Sequence, residues 1–200
     1  MLKVDKLCFA YKKDIILKDV TFCLEQGEAL AVIGANGSGK STLLSLLCGV
    51  LKPTSGTIDT GGAKIGLVPQ GCSVFEDMTV LENLRFFCGL AGKKVPQQLP
   101  FGLDRYAEKK ASQLSGGYER KLNIACSFPM QPDIWLFDEP CANLDRESTA
   151  EIIEMISGFK RAGKTIIYVG HDEKEYEKLC GKVLKISDAR AFFVSKGEYI

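Results

Sequence analysis

The sequence predicts an α/β fold: a mixed, mainly parallel sheet whose two faces are covered. Three observations carry this. Continuous apolar runs recur at Ala29-Leu30-Ala31-Val32-Ile33, Ile134-Trp135-Leu136-Phe137 and Thr165 to Val169, as strands buried on both faces require. Helical periodicity separates these runs. A glycine-rich stretch, residues 34–42, links the first run to the first helical pattern.

Taken in order, Leu2, Val4, Leu7 and Phe9, then Ile15, Leu17, Val20, Phe22 and Leu24, alternate with polar residues. Gly27 ends that stretch, and Thr57 to Asp59 follows the Pro53-Thr54-Ser55-Gly56 turn as a short strand. Together they predict an N-terminal antiparallel β-subdomain flanking the glycine-rich loop. After the loop, Leu43, Leu46, Leu47 and Val50 fall at i, i+3, i+4 and i+7, one helical face. Lys64 to Val68 reads as the next strand. From residue 71 to about 128 the pattern is helical, broken by the polar stretch 92–100, which predicts an inserted helical subdomain. Ile152, Met155, Ile156 and Phe159 share a helix face after the second buried strand. Glu173 to Lys178 predicts a charged helix, and residues 183–194 a β tail. No linker or internal repeat divides the chain, so residues 1–200 are expected to be one domain.

The loop reads Gly34-Ala35-Asn36-Gly37-Ser38-Gly39-Lys40-Ser41-Thr42 and fits G-x-x-x-x-G-K-[ST], the mark of a P-loop NTPase core. Glycines let successive N–H groups turn towards an anion. Lys40 is placed for the β- and γ-phosphates, and Ser41 for Mg²⁺. The positive end of the following helix points the same way.

Composition narrows the function. Apolar residues make up 46% and charged residues 26% of 200, and the net charge of +1 gives no electrostatic case for nucleic acid. No apolar run approaches the roughly 18 residues of a membrane helix. The first residues lack the apolar core of a secretion signal, which predicts a cytoplasmic chain. Eight cysteines are scattered without a C-x-x-C pair, beside one histidine. Buried, reduced thiols are expected rather than a disulfide framework or zinc site.

Two further motifs carry chemistry. Asp138-Glu139 ends the second buried strand. Asp138 is expected to hold Mg²⁺ near the phosphates, and Glu139 to act as general base on water. An isolated Asp-Glu pair would be a strand-end turn; the upstream loop gives it meaning. Leu114-Ser115-Gly116-Gly117-Tyr118 opens a helix through Leu122 and Ala125, either as a second anion site or as a plain serine N-cap.

Together these motifs resemble the ATP-binding cassette (ABC) ATPases, across essentially the whole chain. The resemblance implies that Tyr11 stacks on adenine, and that Gln70 joins the Mg²⁺ shell and senses a membrane partner. It further implies that Asp145, in Ala142-Asn143-Leu144-Asp145, lies on a loop crossing between paired subunits, although Asp145 equally suits a helix cap. His171 is the counterpart of the histidine that contacts the γ-phosphate. Tyr118 stands where the family usually has Gln, Lys121 where Arg is common, and Gly170 where Thr is frequent.

The resemblance implies ATP and Mg²⁺ as cofactors. It also implies that Ser115, Gly116 and Gly117 complete a nucleotide held by a second ABC ATPase subunit, identical or not. The expected partner is an integral membrane permease, which would hold the chain peripherally on the inner face of the cell membrane. Residues 78–87 resemble small exporter-type cassettes, so export is expected. A soluble ATPase of protein or iron–sulfur cluster assembly is the alternative.

Overall fold

The computed structural model describes residues 1–71 and 73–195. Leu2–Tyr11 (β1), Asp14–Leu24 (β2) and Ser55–Asp59 (β4) form one antiparallel sheet in the order β2-β1-β4. Ala29–Ile33 (β3), Ile65–Val68 (β5), Ile134–Asp138 (β6), Thr165–Val169 (β7), Lys182–Ser187 (β8) and Arg190–Val194 (β9) form a second, ordered β5-β6-β7-β3-β8-β9. All pairs in the second sheet are parallel except the β8–β9 hairpin. The predicted mixed, mainly parallel sheet and antiparallel N-terminal layer are both present.

The continuous apolar runs are explained by burial on both faces. Leu30 and Val32 of β3, Leu136 of β6, and Ile167 and Val169 of β7 face one core, shared with the first sheet and with Lys40–Leu47 (α1). Their neighbours Ala31, Trp135, Phe137, Ile166 and Tyr168 face a second core under Arg146–Arg161 (α4) and Glu173–Leu179 (α5). Each fully buried aliphatic side chain contributes about 1.5–3 kcal/mol, so a polar change in these runs disrupts a core whichever way it points.

Between β5 and β6, Val80–Leu90 (α2) and Gly116–Ser127 (α3) enclose a third, smaller cluster that includes Val80, Leu84, Leu103 and Leu122. Thr79 starts α2 with a reciprocal cap: Glu82 N–H donates to Thr79 Oγ1 (3.2 Å), and Thr79 N–H to Glu82 Oε2 (2.8 Å). Asn83 is fully buried and fastens the preceding turn, accepting from Phe75 N–H (2.8 Å) and donating to Phe75 O (3.0 Å).

Several expectations need correction. Val50 is 75% exposed and lies beyond α1, because the helix ends at Leu47 and Gly49 (φ 72°) turns the chain away. Beyond the expected break at 92–100, residues 101–115 also lack α-helix and hold 3-10 turns at Pro100–Tyr106 and Ala111–Gln113, so among the described residues two α-helices lie between β5 and β6. The cysteines are not uniformly buried. All seven described ones are free thiols, but Cys23 is exposed and Cys8 and Cys48 are half-buried; Cys72 lies outside the described residues.

Candidate active site

The glycine-rich loop follows β3 directly. Gly34 (φ 150°) is irreplaceable by space: a Cβ there would run into the Ile186 carbonyl and lie 2.7 Å from Ser38 Oγ. Gly39 (φ 105°) would press a Cβ to 3.0 Å from Ile16 Cγ2. Lys40, 6% exposed, folds over the loop and donates from Nζ to Gly34 O (2.8 Å) and Ala35 O (3.0 Å). Burial lowers its pKa, partly offset by the carboxylates of Glu139 and Asp138. Ser38 Oγ is the one buried side-chain oxygen or nitrogen without a hydrogen-bond partner among the described residues. An unmade hydrogen bond of this kind costs about 1–3 kcal/mol, and a phosphate oxygen in the loop would remove that cost.

Ile16, Asn36, Gly37, Gly39, Lys40, Ser41, Thr42, Gln70, Glu139 and His171 line a cavity of about 430 Å³. Five segments therefore meet: β2 through Ile16, the loop after β3, the end of β5, the end of β6 and the end of β7. The strand carrying Asp138 is not adjacent to β3, since β7 lies between them. Asp138 still reaches the loop, where its carboxylate accepts from the Ser41 hydroxyl. Burial raises the Asp138 pKa, and the Ser41 bond opposes that rise.

Glu139 is held from both sides. Gln70 Nε2 donates to its Oε2 (2.9 Å), and His171 Nε2 lies 2.9 Å from its Oε1. Its backbone is in the left-handed region (φ 47°), and its N–H donates to Val169 O at 2.9 Å. The carboxylate is thus fixed at the cavity wall, facing the side on which Lys40 lies.

Other expected site residues lie outside this cavity. Tyr11 ends β1, 50% exposed, with its ring edge-on to Phe9 at 4.8 Å. Ser115, Gly116 and Gly117 also stand apart from their own chain's loop cavity. Ser115 occupies the N-cap position of α3 without a side-chain capping bond, leaving its hydroxyl unused for that purpose. Asp145 caps α4, accepting from Ser148 N–H (2.8 Å), and approaches Gly117, whose Cβ would sit 3.7 Å from Asp145 Oδ2.

Sequence reasoning missed Arg120. Its guanidinium donates to the carbonyls of Pro69 (2.6 Å), Gln70 (3.1 Å), Asp138 (3.2 Å), Glu139 (3.4 Å) and Pro140 (3.0 Å). The run Tyr118-Glu119-Arg120-Lys121 gives little hint of which cation faces inward. Lys121 points instead to Glu151 on α4 (2.9 Å), with its Nζ 4.7 Å from the centre of the Tyr118 ring. The two departures from the usual signature thus pair with each other. Asn123 was also missed; it accepts from Ser73 N–H (3.0 Å) and donates to Gly71 O (3.1 Å).

With this geometry established, the class is clear: the chain belongs to the ABC transporter family, whose domain matches residues 17–142. Among its relatives, the linearmycin resistance ATP-binding protein LnrL of Bacillus subtilis (strain 168) is 33% identical over 92% of this chain. The chain spans 65% of LnrL's length. The O-antigen export system ATP-binding protein RfbB of Klebsiella pneumoniae is 34% identical, covering 94% of this chain and 80% of RfbB. The ergothioneine transport ATP-binding protein EgtV of Helicobacter pylori (strain G27) is 33% identical over 93% of this chain and 97% of EgtV. A solved ATP-binding subunit of an ABC transporter superposes with a TM-score of 0.85 at 26% identity, covering 97% of this chain and 90% of that one.

Proposed function

We propose that this chain binds and hydrolyses ATP to drive a membrane permease, with export as the direction of transport. The observation that carries the reading is the shared cavity, in which Lys40 faces a Glu139 carboxylate bracketed by Gln70 and His171. The phosphates lie along the loop amides at the start of α1, where Ser38 Oγ gains a partner and Lys40 exchanges the Gly34 and Ala35 carbonyls for phosphate oxygens. Ser41, Asp138 and Gln70 are the residues that would hold Mg²⁺, which when bound neutralises charge on the β- and γ-phosphates. Glu139 accepts a proton from the attacking water, oriented by its bonds to Gln70 and His171. As charge develops on the γ-phosphoryl, His171 turns its Nε2–H from Glu139 to a phosphoryl oxygen. Tyr11 supplies a face for adenine.

Ser115, Gly116 and Gly117 stand outside the loop cavity of their own chain, so they serve the nucleotide of a second cassette. Asp145, beside Gly117, lies at the seam between the two subunits. Residues 71–128 act as the inserted helical subdomain that meets the permease. A groove of about 240 Å³ lined by Pro69, Ser73, Phe87 and Met130 suits the permease's cytoplasmic helix, and the exposed rings of Phe75 and Phe86, 5.0 Å apart, extend its apolar wall. Among the described residues no helix is long and apolar enough to cross a membrane. The relatives named for resistance, export and transport favour this reading over cluster assembly.

Glu139→Gln tests the proposal. It keeps the shape but removes the proton acceptor, so turnover falls on the order of a hundredfold or more while ATP binding persists and paired chains accumulate. Unchanged turnover would remove Glu139 from the role of base.

A further inference from the structure

We infer that Arg120 is a positioning residue for hydrolysis, tying the helix that begins at the Ser115–Gly117 segment to the backbones of both Gln70 and Glu139. The inference rests on the reading of Glu139 as the base and deepens it.

The geometry is specific. One planar guanidinium faces two separate chain segments, Pro69–Gln70 at the end of β5 and Asp138–Pro140 at the end of β6. These segments present the Gln70 and Glu139 side chains, which meet at 2.9 Å. Arg120 therefore holds from behind the same two residues that join in front. Glu139 has the more to gain, because its left-handed backbone is costly for a residue with a Cβ. Val169 O fixes its N–H at 2.9 Å and Arg120 approaches its carbonyl, so the strained residue is anchored at both ends.

The same helix face leads to the Ser115–Gly117 end. Gly116, Arg120 and Asn123 fall at i, i+4 and i+7 and line one groove of about 190 Å³ with Gln70 and the loop 142–144. Asn123 fastens Gly71 and Ser73, continuing the row of contacts to the segment after Gln70. Lys121 cannot substitute for Arg120, since it points to Glu151. A lysine placed at 120 could not either, because an ammonium lacks the fixed fork that spans two loops. When a second chain's nucleotide engages Ser115, Gly116 and Gly117, the displacement of α3 reaches Glu139 through this fork. Nucleotide capture by one subunit thereby sets the base in the other.

The test uses the full chain carrying Arg120→Gln, Arg120→Lys, Glu139→Gln and the double variant Arg120→Gln/Glu139→Gln. Steady-state turnover, KM and binding of a fluorescent ATP analogue are measured for each, with thermal midpoints as a folding control. A base displaced by about 1 Å loses on the order of tenfold to a hundredfold in rate. Arg120→Gln is therefore expected to lower kcat by that factor while KM and analogue affinity stay within about twofold, with Arg120→Lys intermediate. Removing Arg120 is expected to cost much less on the Glu139→Gln background than on the wild type, because most of its effect passes through Glu139. Wild-type kcat in Arg120→Gln would overturn the inference. A loss from Arg120→Gln as large on the Glu139→Gln background as on the wild type, or kcat and analogue binding falling together with the folded fraction in both Arg120 variants, would overturn it too. Wild-type turnover in Glu139→Gln would instead sink the assignment of the base, a different failure.

Discussion

Substituting threonine at Gly170 gives this chain the residue frequent before the histidine in its family, yet the structure makes that change costly. A Cβ at Gly170 would lie 2.5 Å from Tyr168 Cε1 and 3.3 Å from both Cζ and the hydroxyl oxygen of that ring. Tyr168 has nowhere to go: it is fully buried, and its hydroxyl donates to Glu175 Oε2 at 2.5 Å. Relief requires the ring to shift by roughly 1 Å in a packed core, and overpacking of this kind costs about 1–3 kcal/mol. For a chain of this size each kcal/mol lowers the melting midpoint by about 2–4 °C, so Gly170→Thr should melt about 2–12 °C below wild type. Thermal unfolding followed by circular dichroism reads this directly. The cause is isolated by repeating the substitution with Tyr168→Val, where the obstructing ring is gone and the added cost should fall by more than about half. A midpoint within about 1 °C of wild type, or an equal cost on both backgrounds, would refute the reasoning.

Other outcomes follow from the electrostatics. Burial pushes the Cys141 and Cys180 thiols up to about 12 and Cys48 up to about 11, whereas Cys23 is exposed. Brief alkylation of the native protein at about pH 8, mapped by mass spectrometry, should mark Cys23 and spare Cys141 and Cys180 until unfolding; prompt labelling of Cys141 would contradict this. Glu28 has its pKa lowered, chiefly by its hydrogen bond from Lys182, with the carboxylate 2.7 Å from the ammonium. A depressed carboxylate stabilises the fold above its unfolded pKa and loses that contribution as pH falls through the folded value. The pair is partly exposed, so Lys182→Met should cost only a few tenths of a kcal/mol near neutrality, with the difference shrinking as pH falls below the ordinary glutamate value of about 4.3. A cost that persists unchanged in acid would place the effect in packing rather than charge.

Much of the sheet was legible because its strands are buried on both faces and leave unbroken apolar runs, as β3, β6 and β7 do. That residues of 36–42, together with 139 and 171, would share one cavity was legible from the glycine-rich motif, the strand-end Asp138-Glu139 pair and, for His171, the family resemblance. What escaped was set by tertiary contact. Nothing local distinguishes Arg120 from Lys121; only the positions of residues 69–70 and 138–140 make one a five-carbonyl clamp and the other a partner for Glu151. Gly170 looked like a family departure until the Tyr168 ring filled the space its side chain would need. The break at 92–100 was legible in sequence, but the helical reading of 101–115 was not met, because the left-handed pair Phe101 and Gly102 breaks that stretch into short turns.

The central claim is that one chain supplies loop, base and histidine to its own cavity but lends Ser115, Gly116 and Gly117 to another. Phosphate release per chain, measured across a dilution series with the oligomeric state determined at each point, tests this most directly. Release per chain is predicted to rise with concentration and level off once chains are paired. A constant rate per chain, maintained where only monomers remain, would contradict the account.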